Sequence, residues 1–129
     1  MDSASAKPIT VSHAFGELVW LVGQSRLHSS ISAHDLTWLL LPPIIHRQFH
    51  IFREGESPVG AAIWAMTDEE AERKLQSGIL TPGNSLAERD WISGDRLWLV
   101  DLIAPFATAE NHQREVMFAD LVAGRLRDR

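Results

Sequence analysis

Asp90-Trp91-Ile92-Ser93-Gly94-Asp95-Arg96 leads into Leu97-Trp98-Leu99-Val100-Asp101-Leu102-Ile103-Ala104-Pro105, and the second part reads as the strongest strand of the chain. Alternate side chains of a strand share a face. Strict alternation places Leu97, Leu99, Asp101 and Ile103 on one side and Trp98, Val100 and Leu102 on the other. Both sides are apolar, so both are expected to be covered, and Asp101 becomes a carboxylate on an apolar surface. Burying it charged costs several kcal/mol unless it is paired or hydrogen-bonded. Two resolutions stand open: Asp101 ends the strand and bonds nearby backbone N–H groups, or it pairs with a histidine, fixing the ring tautomer and stabilising the imidazolium.

Working outward, the remaining elements give a mixed α/β order. Phe15, Leu18, Val19 and Val22 recur at helical spacing, with Ser12 as a possible N-cap and an end near Gly23. Ser32 and Asp35 resemble a capping box ahead of a Leu36, Leu39, Leu40 stripe that Pro42-Pro43 is expected to stop. Gln48 to Arg53 and Val59 to Met66 read as a hairpin around Glu54-Gly55-Glu56-Ser57. Thr67 and Glu70 form a capping box for a helix with i,i+4 pairs Glu69–Arg73 and Glu70–Lys74, closed by Gly78. A loop is expected over 79–89, and Thr108 as the cap of a last helix through Phe118, Leu121 and Val122. Helix, helix, strand, strand, helix, strand, helix implies a small sheet covered by helices.

The 129 residues fit one domain, and 45% hydrophobic against 22% charged residues is a globular balance. A net charge of −5 argues against a dedicated nucleic-acid binder. Without cysteine there is no disulfide scaffold, zinc-thiolate site or thiol nucleophile. The polar start has no apolar run of a secretory signal, and no stretch approaches the ~20 residues of a membrane span. The expectation is a cytoplasmic protein with a flexible tail over 1–10 and a single domain over 11–129.

Six histidines are available to Asp101: His13, His28, His34, His46, His50 and His112. His28 lies in the polar loop Ser25-Arg26-Leu27-His28-Ser29-Ser30 between two apolar helices, a favoured setting for a reactive group, though it also fits an ordinary surface loop. His46 and His50 have a helical metal-ligand spacing but flank the start of a strand with no acid nearby, so no metal is expected. Ser25 hints at a nucleophile, yet no G-x-S-x-G elbow surrounds it. No glycine pattern supports a nucleotide cradle.

The stretch from Asp90 to Phe106 resembles the signature D-W-x-S-G-D-R-x-W-aliphatic-aliphatic-D-x-I-A-P-F of the RTX toxin-activating lysine acyltransferases. Leu18-Val19-Trp20-Leu21 with Ser25-Arg26-Leu27-His28, Leu41-Pro42-Pro43-Ile44, and Pro58-Val59 with Ile63-Trp64-Ala65 are similar to the family in the same order. The matches cover roughly residues 13 to 107. The resemblance implies a GNAT-like α/β domain with a small mixed sheet flanked by helices. It implies transfer of a fatty acyl chain from acyl carrier protein, the acyl donor, to internal lysines of an RTX protoxin, with no bound cofactor. It maps the catalytic histidine onto His28 and the catalytic aspartate onto Asp101, with Ser25 and Arg96 as possible supporting residues, and a homodimer is a further expectation.

A lysine amine, with a reference pKa near ~10.4, must lose a proton before attacking a thioester. An imidazole can accept that proton, or can itself attack and carry the acyl group. An acidic carrier would require a local basic patch, for which Arg26, Arg47, Arg53 and Arg96 are candidates. Two features depart from the family. Members run some tens of residues further beyond the position of Arg125, so a C-terminally shortened domain is expected here, and Ala107-Thr108-Ala109 stands where Gly-Asp is usual. The alternatives are a truncated, non-catalytic relative that binds carrier or protoxin, and an acyl-CoA-dependent GNAT enzyme. The latter lacks its usual pyrophosphate loop here.

Overall fold

The computed structural model describes residues 10–78 and 85–127. In chain order the elements are α1 (Val11–Gln24), a 3-10 turn (Arg26–His28), α2 (Ala33–Ile45), β1 (Phe49–Glu54), β2 (Ser57–Thr67), α3 (Glu69–Gln76), a second 3-10 turn (Glu88–Trp91), β3 (Arg96–Ile103) and α4 (Gln113–Ala123). The strands form an antiparallel sheet in the order β1-β2-β3. The α/β architecture, a small sheet flanked by helices, is the expected one. The expected tail over 1–10, apart from its last residue, and the part of the expected loop over 79–84 lie outside the described residues.

Two apolar clusters sit on the two faces of the sheet. On one, Ala14, Leu18, Leu21 and Val22 of α1 and Leu39, Leu40 and Ile44 of α2 pack with Ile51, Ala61, Ile63, Ala65 and Ile103. On the other, Met117 and Leu121 of α4 pack with Phe52, Ala62, Trp64 and Leu102. Gly60 makes the second contact close, since a Cβ there would stand 2.3 Å from the Met117 methyl and 2.9 Å from the Ile103 carbonyl.

The strict alternation expected along β3 does not hold. Ile63 faces Asp101 but Trp64 faces Leu99, so Val100 is an extra residue without an opposite number. One unpaired residue shifts the parity of the strand. Trp98, Val100 and Ile103 consequently pack on the α1–α2 side, and Leu97, Leu99 and Leu102 on the α4 side.

Local chemistry corrects several other expectations. Thr10, not Ser12, caps α1 by accepting from the His13 N–H. Pro42 and Pro43 do not stop α2. Their fixed φ suits a helix, their rings are buried, and their carbonyls accept from the His46 and Gln48 N–H groups at 3.0 and 2.7 Å. Asp68, rather than the pair Thr67 and Glu70, caps α3 through the Ala71 N–H. Thr67 is buried and donates to the Arg96 carbonyl. Glu69 pairs with Arg73 as expected, while Glu70 reaches Arg89 and Lys74 reaches the buried Asp90 at 2.8 Å. Thr108 makes a turn with Asn111, and His112, with φ at 49°, takes the N-cap position of α4. Phe118 and Val122 face outward; Met117 and Leu121 are the buried pair. No helix of the described residues is long and apolar enough to cross a membrane.

Candidate functional site

Ser25 ends α1 with its N–H on the Val22 carbonyl at 3.0 Å, and the chain turns at once into the 3-10 segment. Side chains three apart eclipse in a 3-10 turn, so Ser25 and His28 stand over one another, and Ser25 Oγ lies 2.6 Å from His28 Nδ1. From the other side, His28 Nε2 meets Asp101 Oδ2 at 2.5 Å across 73 residues of chain. Of the two resolutions open for Asp101, the structure takes the histidine.

The hydrogen-bond partners assign the protons. A carboxylate only accepts, so Nε2 donates to Asp101. In the neutral ring Nδ1 then holds the lone pair and accepts from the Ser25 hydroxyl. The chain Ser25–His28–Asp101 can take up a proton at Nδ1 and offset the resulting charge at Nε2. The His28 side chain is 5% exposed and that of Asp101 20% exposed, so the carboxylate is the member nearer to solvent. Asp101 also lines a cleft of about 630 Å3 with Leu99, Val100, Leu102, Arg114 and Phe118. Arg114 closes part of it by donating to the Leu102 carbonyl at 2.9 Å.

The other sequence candidates lie elsewhere. Arg96 begins β3 at the far end from Asp101, where its guanidinium donates to Glu72 at 2.8 Å. His13 is near Glu17, His34 is exposed, His46 follows α2, His50 packs edge-on to Phe52, and His112 contacts Glu115. Among the described residues no three His, Cys, Asp or Glu side chains gather as a metal set.

Three anchors of the scaffold were not singled out from the sequence. Trp20 of α1 meets Phe106, just beyond β3, at 6.1 Å between ring centroids, a second link between the segments that carry His28 and Asp101. The buried Gln48 donates both to the Trp64 and to the Trp91 carbonyl at 3.0 Å, joining the sheet to the turn before β3. Asp90 accepts from Lys74 and from the Ala87 N–H in that same turn. The signal for the first was that both aromatics fall inside family-like motifs. Asp90, which opens the Asp90–Phe106 stretch, carries the same signal, whereas the lone Gln48 carries none.

The small α/β scaffold thus carries a serine–histidine–carboxylate hydrogen-bond chain that joins the end of α1 to β3. The chain belongs to the RTX toxin acyltransferase family, which it matches over residues 7–129. It is 36% identical over 98 residues to the protein-lysine palmitoyltransferase CyaC of Bordetella bronchiseptica, covering 76% of this chain and 51% of that protein. It is 33% identical over 95 residues to the leukotoxin-activating lysine-acyltransferase LktC serotype A1 of Mannheimia haemolytica, covering 74% and 54%. To the RTX-I toxin-activating lysine-acyltransferase ApxIC of Actinobacillus pleuropneumoniae it is 33% identical over 113 residues, covering 85% and 63%. The chain thus spans about half the length of the first of these relatives.

Proposed function

We propose that this chain is the catalytic part of a protein-lysine fatty acyltransferase. In the cytoplasm it moves an acyl chain from acyl carrier protein to internal lysines of an RTX protoxin, with a homodimer as the working assembly. The observation that carries this reading is the 2.5 Å hydrogen bond between His28 and Asp101.

The acceptor ammonium gives up a proton to His28 Nδ1, and the Ser25 hydroxyl either relays that proton or rotates aside. The freed Nζ attacks the thioester carbonyl, and the tetrahedral oxyanion collapses with formation of the amide and cleavage of the C–S bond. The imidazolium returns its proton to the departing thiolate, and the second proton that the attacking nitrogen must lose passes to solvent, so that a thiol and an Nε-acyl-lysine result. Asp101 holds the ring in the tautomer that leaves Nδ1 free and offsets the charge at Nε2. In the related covalent route Nδ1 attacks the thioester carbonyl, the C–S bond breaks and the departing thiolate takes a proton from solvent. The deprotonated lysine Nζ then attacks the acyl-imidazole, the N–acyl bond to His28 breaks, and the nitrogen releases its extra proton as the amide forms.

The test is incubation with acylated carrier protein and an RTX protoxin, followed by mass spectrometry of the acceptor lysines. An acyl mass increase from the carrier donor is expected. Acylation from acyl-CoA alone would assign a different donor, and binding of carrier or protoxin without transfer would make the chain a binding relative.

A further inference from the structure

Positive groups gather on one side of this net acidic chain. Along the free edge of β1 runs a groove of about 700 Å3 whose lining includes Ile45, His46, Arg47, His50, Arg53 and Arg125, and no carboxylate among the described residues. Arg53 is held by Glu17 through two bonds of 2.7 and 2.6 Å. Arg47 and Arg125 make no ion pair with a described carboxylate. Arg47 is exposed and sits at φ 59° in the turn between α2 and β1. Arg125 is fixed in place: it donates to the Arg47 and Phe49 carbonyls at 3.1 and 3.4 Å and lies 5.4 Å over the Trp64 ring.

His50 reports the field in this groove. Burial pushes its imidazole below the ordinary histidine value. Arg125 and Arg53 push it further down, while Asp120 pulls it up. Exposed Ile45 and Val11 add apolar surface at the same place. Cationic side chains, aliphatic surface and an edge strand suit an acidic polypeptide, which can offer carboxylates, methylenes and a backbone together. A phosphate polymer would use only the charges and would meet a chain of net charge −5.

The groove runs from Val11, a helix length of about 21 Å from Ser25 and His28, to Phe49, which stands about 10 Å from Asp101 across Ile63 of the sheet. We propose that this groove is an exosite that seats an acidic segment of the protein acceptor, separate from the lysine to be modified. The proposal rests on the protein-acceptor reading above. It accounts for how one enzyme selects particular internal lysines, because a second contact adds affinity that a lysine alone does not give.

The probe is a short fluorescein-labelled poly-L-glutamate followed by anisotropy, with the His50 imidazole titrated by NMR. Binding that weakens with salt, a rise in the His50 titration midpoint, and about tenfold weaker binding in Arg47→Glu are expected. Arg47→Gly removes the charge while suiting the left-handed backbone, and weakens binding likewise. His28→Ala binds poly-L-glutamate as the parent does, so a failure of the transfer reaction leaves this result readable. With a protoxin acceptor, Arg47→Glu raises KM and leaves kcat unchanged. Absence of poly-L-glutamate binding, or binding by both Arg47 variants as tight as the parent's, overturns the proposal. So does preferential binding of phosphatidylglycerol vesicles, or self-association of the chain that Arg47→Glu abolishes.

Discussion

Asp101 faces Ile63 across the sheet, and this pairing sits directly against the bulge at Val100, because the next pair along is Trp64 with Leu99. The bulge sets Asp101 out of step with Leu97 and Leu99 and leaves its carboxylate against His28. Bulges re-aim side chains at functional positions, and here the re-aimed group is the lone carboxylate of the strand core.

Asp101→Asn retains the side-chain size but presents an amide that can donate to Nε2 and so favour the other tautomer, and it no longer offsets an imidazolium. Lysine acylation should fall on the order of a thousandfold, with the urea midpoint nearly unchanged. Initial rates measured by mass spectrometry check this, and a change of only a few fold would remove Asp101 from the reaction.

Ser25→Ala removes the hydroxyl 2.6 Å from Nδ1. A positioning role predicts about a tenfold loss in kcat with KM unchanged and an altered pH–rate profile, since one hydrogen bond is lost and the base remains. Complete loss together with an acyl adduct on Ser25 in the parent protein would show instead that the serine is the nucleophile.

Much of the architecture was legible because periodicity reports burial directly: the α1 stripe, the hairpin and the β3 run all appear at or near their expected places. The parity of β3 was not legible. A bulge is decided by how two strands meet, and nothing within Leu97–Ile103 marks Val100 as the extra residue. Pro42-Pro43 misled for a related reason: loss of two N–H donors is local, whereas burial of both rings in the core is tertiary. By residue pattern alone His28 was one of six histidines; the family resemblance pointed to it, and the fold brings it to Asp101. Arg96, close in sequence to Asp101, is still well removed from it because the five extended steps between them cover about 17 Å.

The Glu17–Arg53 pair should make stability depend on acid pH. The Arg53 hydrogen bonds hold the Glu17 carboxyl below its ordinary value of 4.5, burial acting in the opposite sense. For an acid lowered on folding, the contribution is complete above the unfolded value and is lost as pH falls through the lower folded value. Glu17→Gln should therefore cost about 1 kcal/mol at neutral pH, and the difference from the parent should shrink below pH 4.5. Urea unfolding across that range measures it, and a gap that widens in acid would contradict the assignment.

Gly94 lies where the turn before β3 passes the end of β2. A Cβ there would stand 2.5 Å from the Thr67 carbonyl oxygen and 2.8 Å from the Asp68 nitrogen, and both are backbone atoms. Gly94→Ala should destabilise the fold by about 1–3 kcal/mol, read as a lower urea midpoint with an unchanged slope. A neutral result would mean that the turn and the β2 end move apart without loss.

The central claim is that His28 handles the proton, or the acyl group, in lysine acylation. Its most direct test is the acyl mass increase on protoxin lysines with His28→Ala beside the parent, at equal concentration of folded protein and of acylated carrier. The account predicts transfer by the parent and loss of at least a hundredfold in the variant. Transfer at the parent rate in His28→Ala would contradict it.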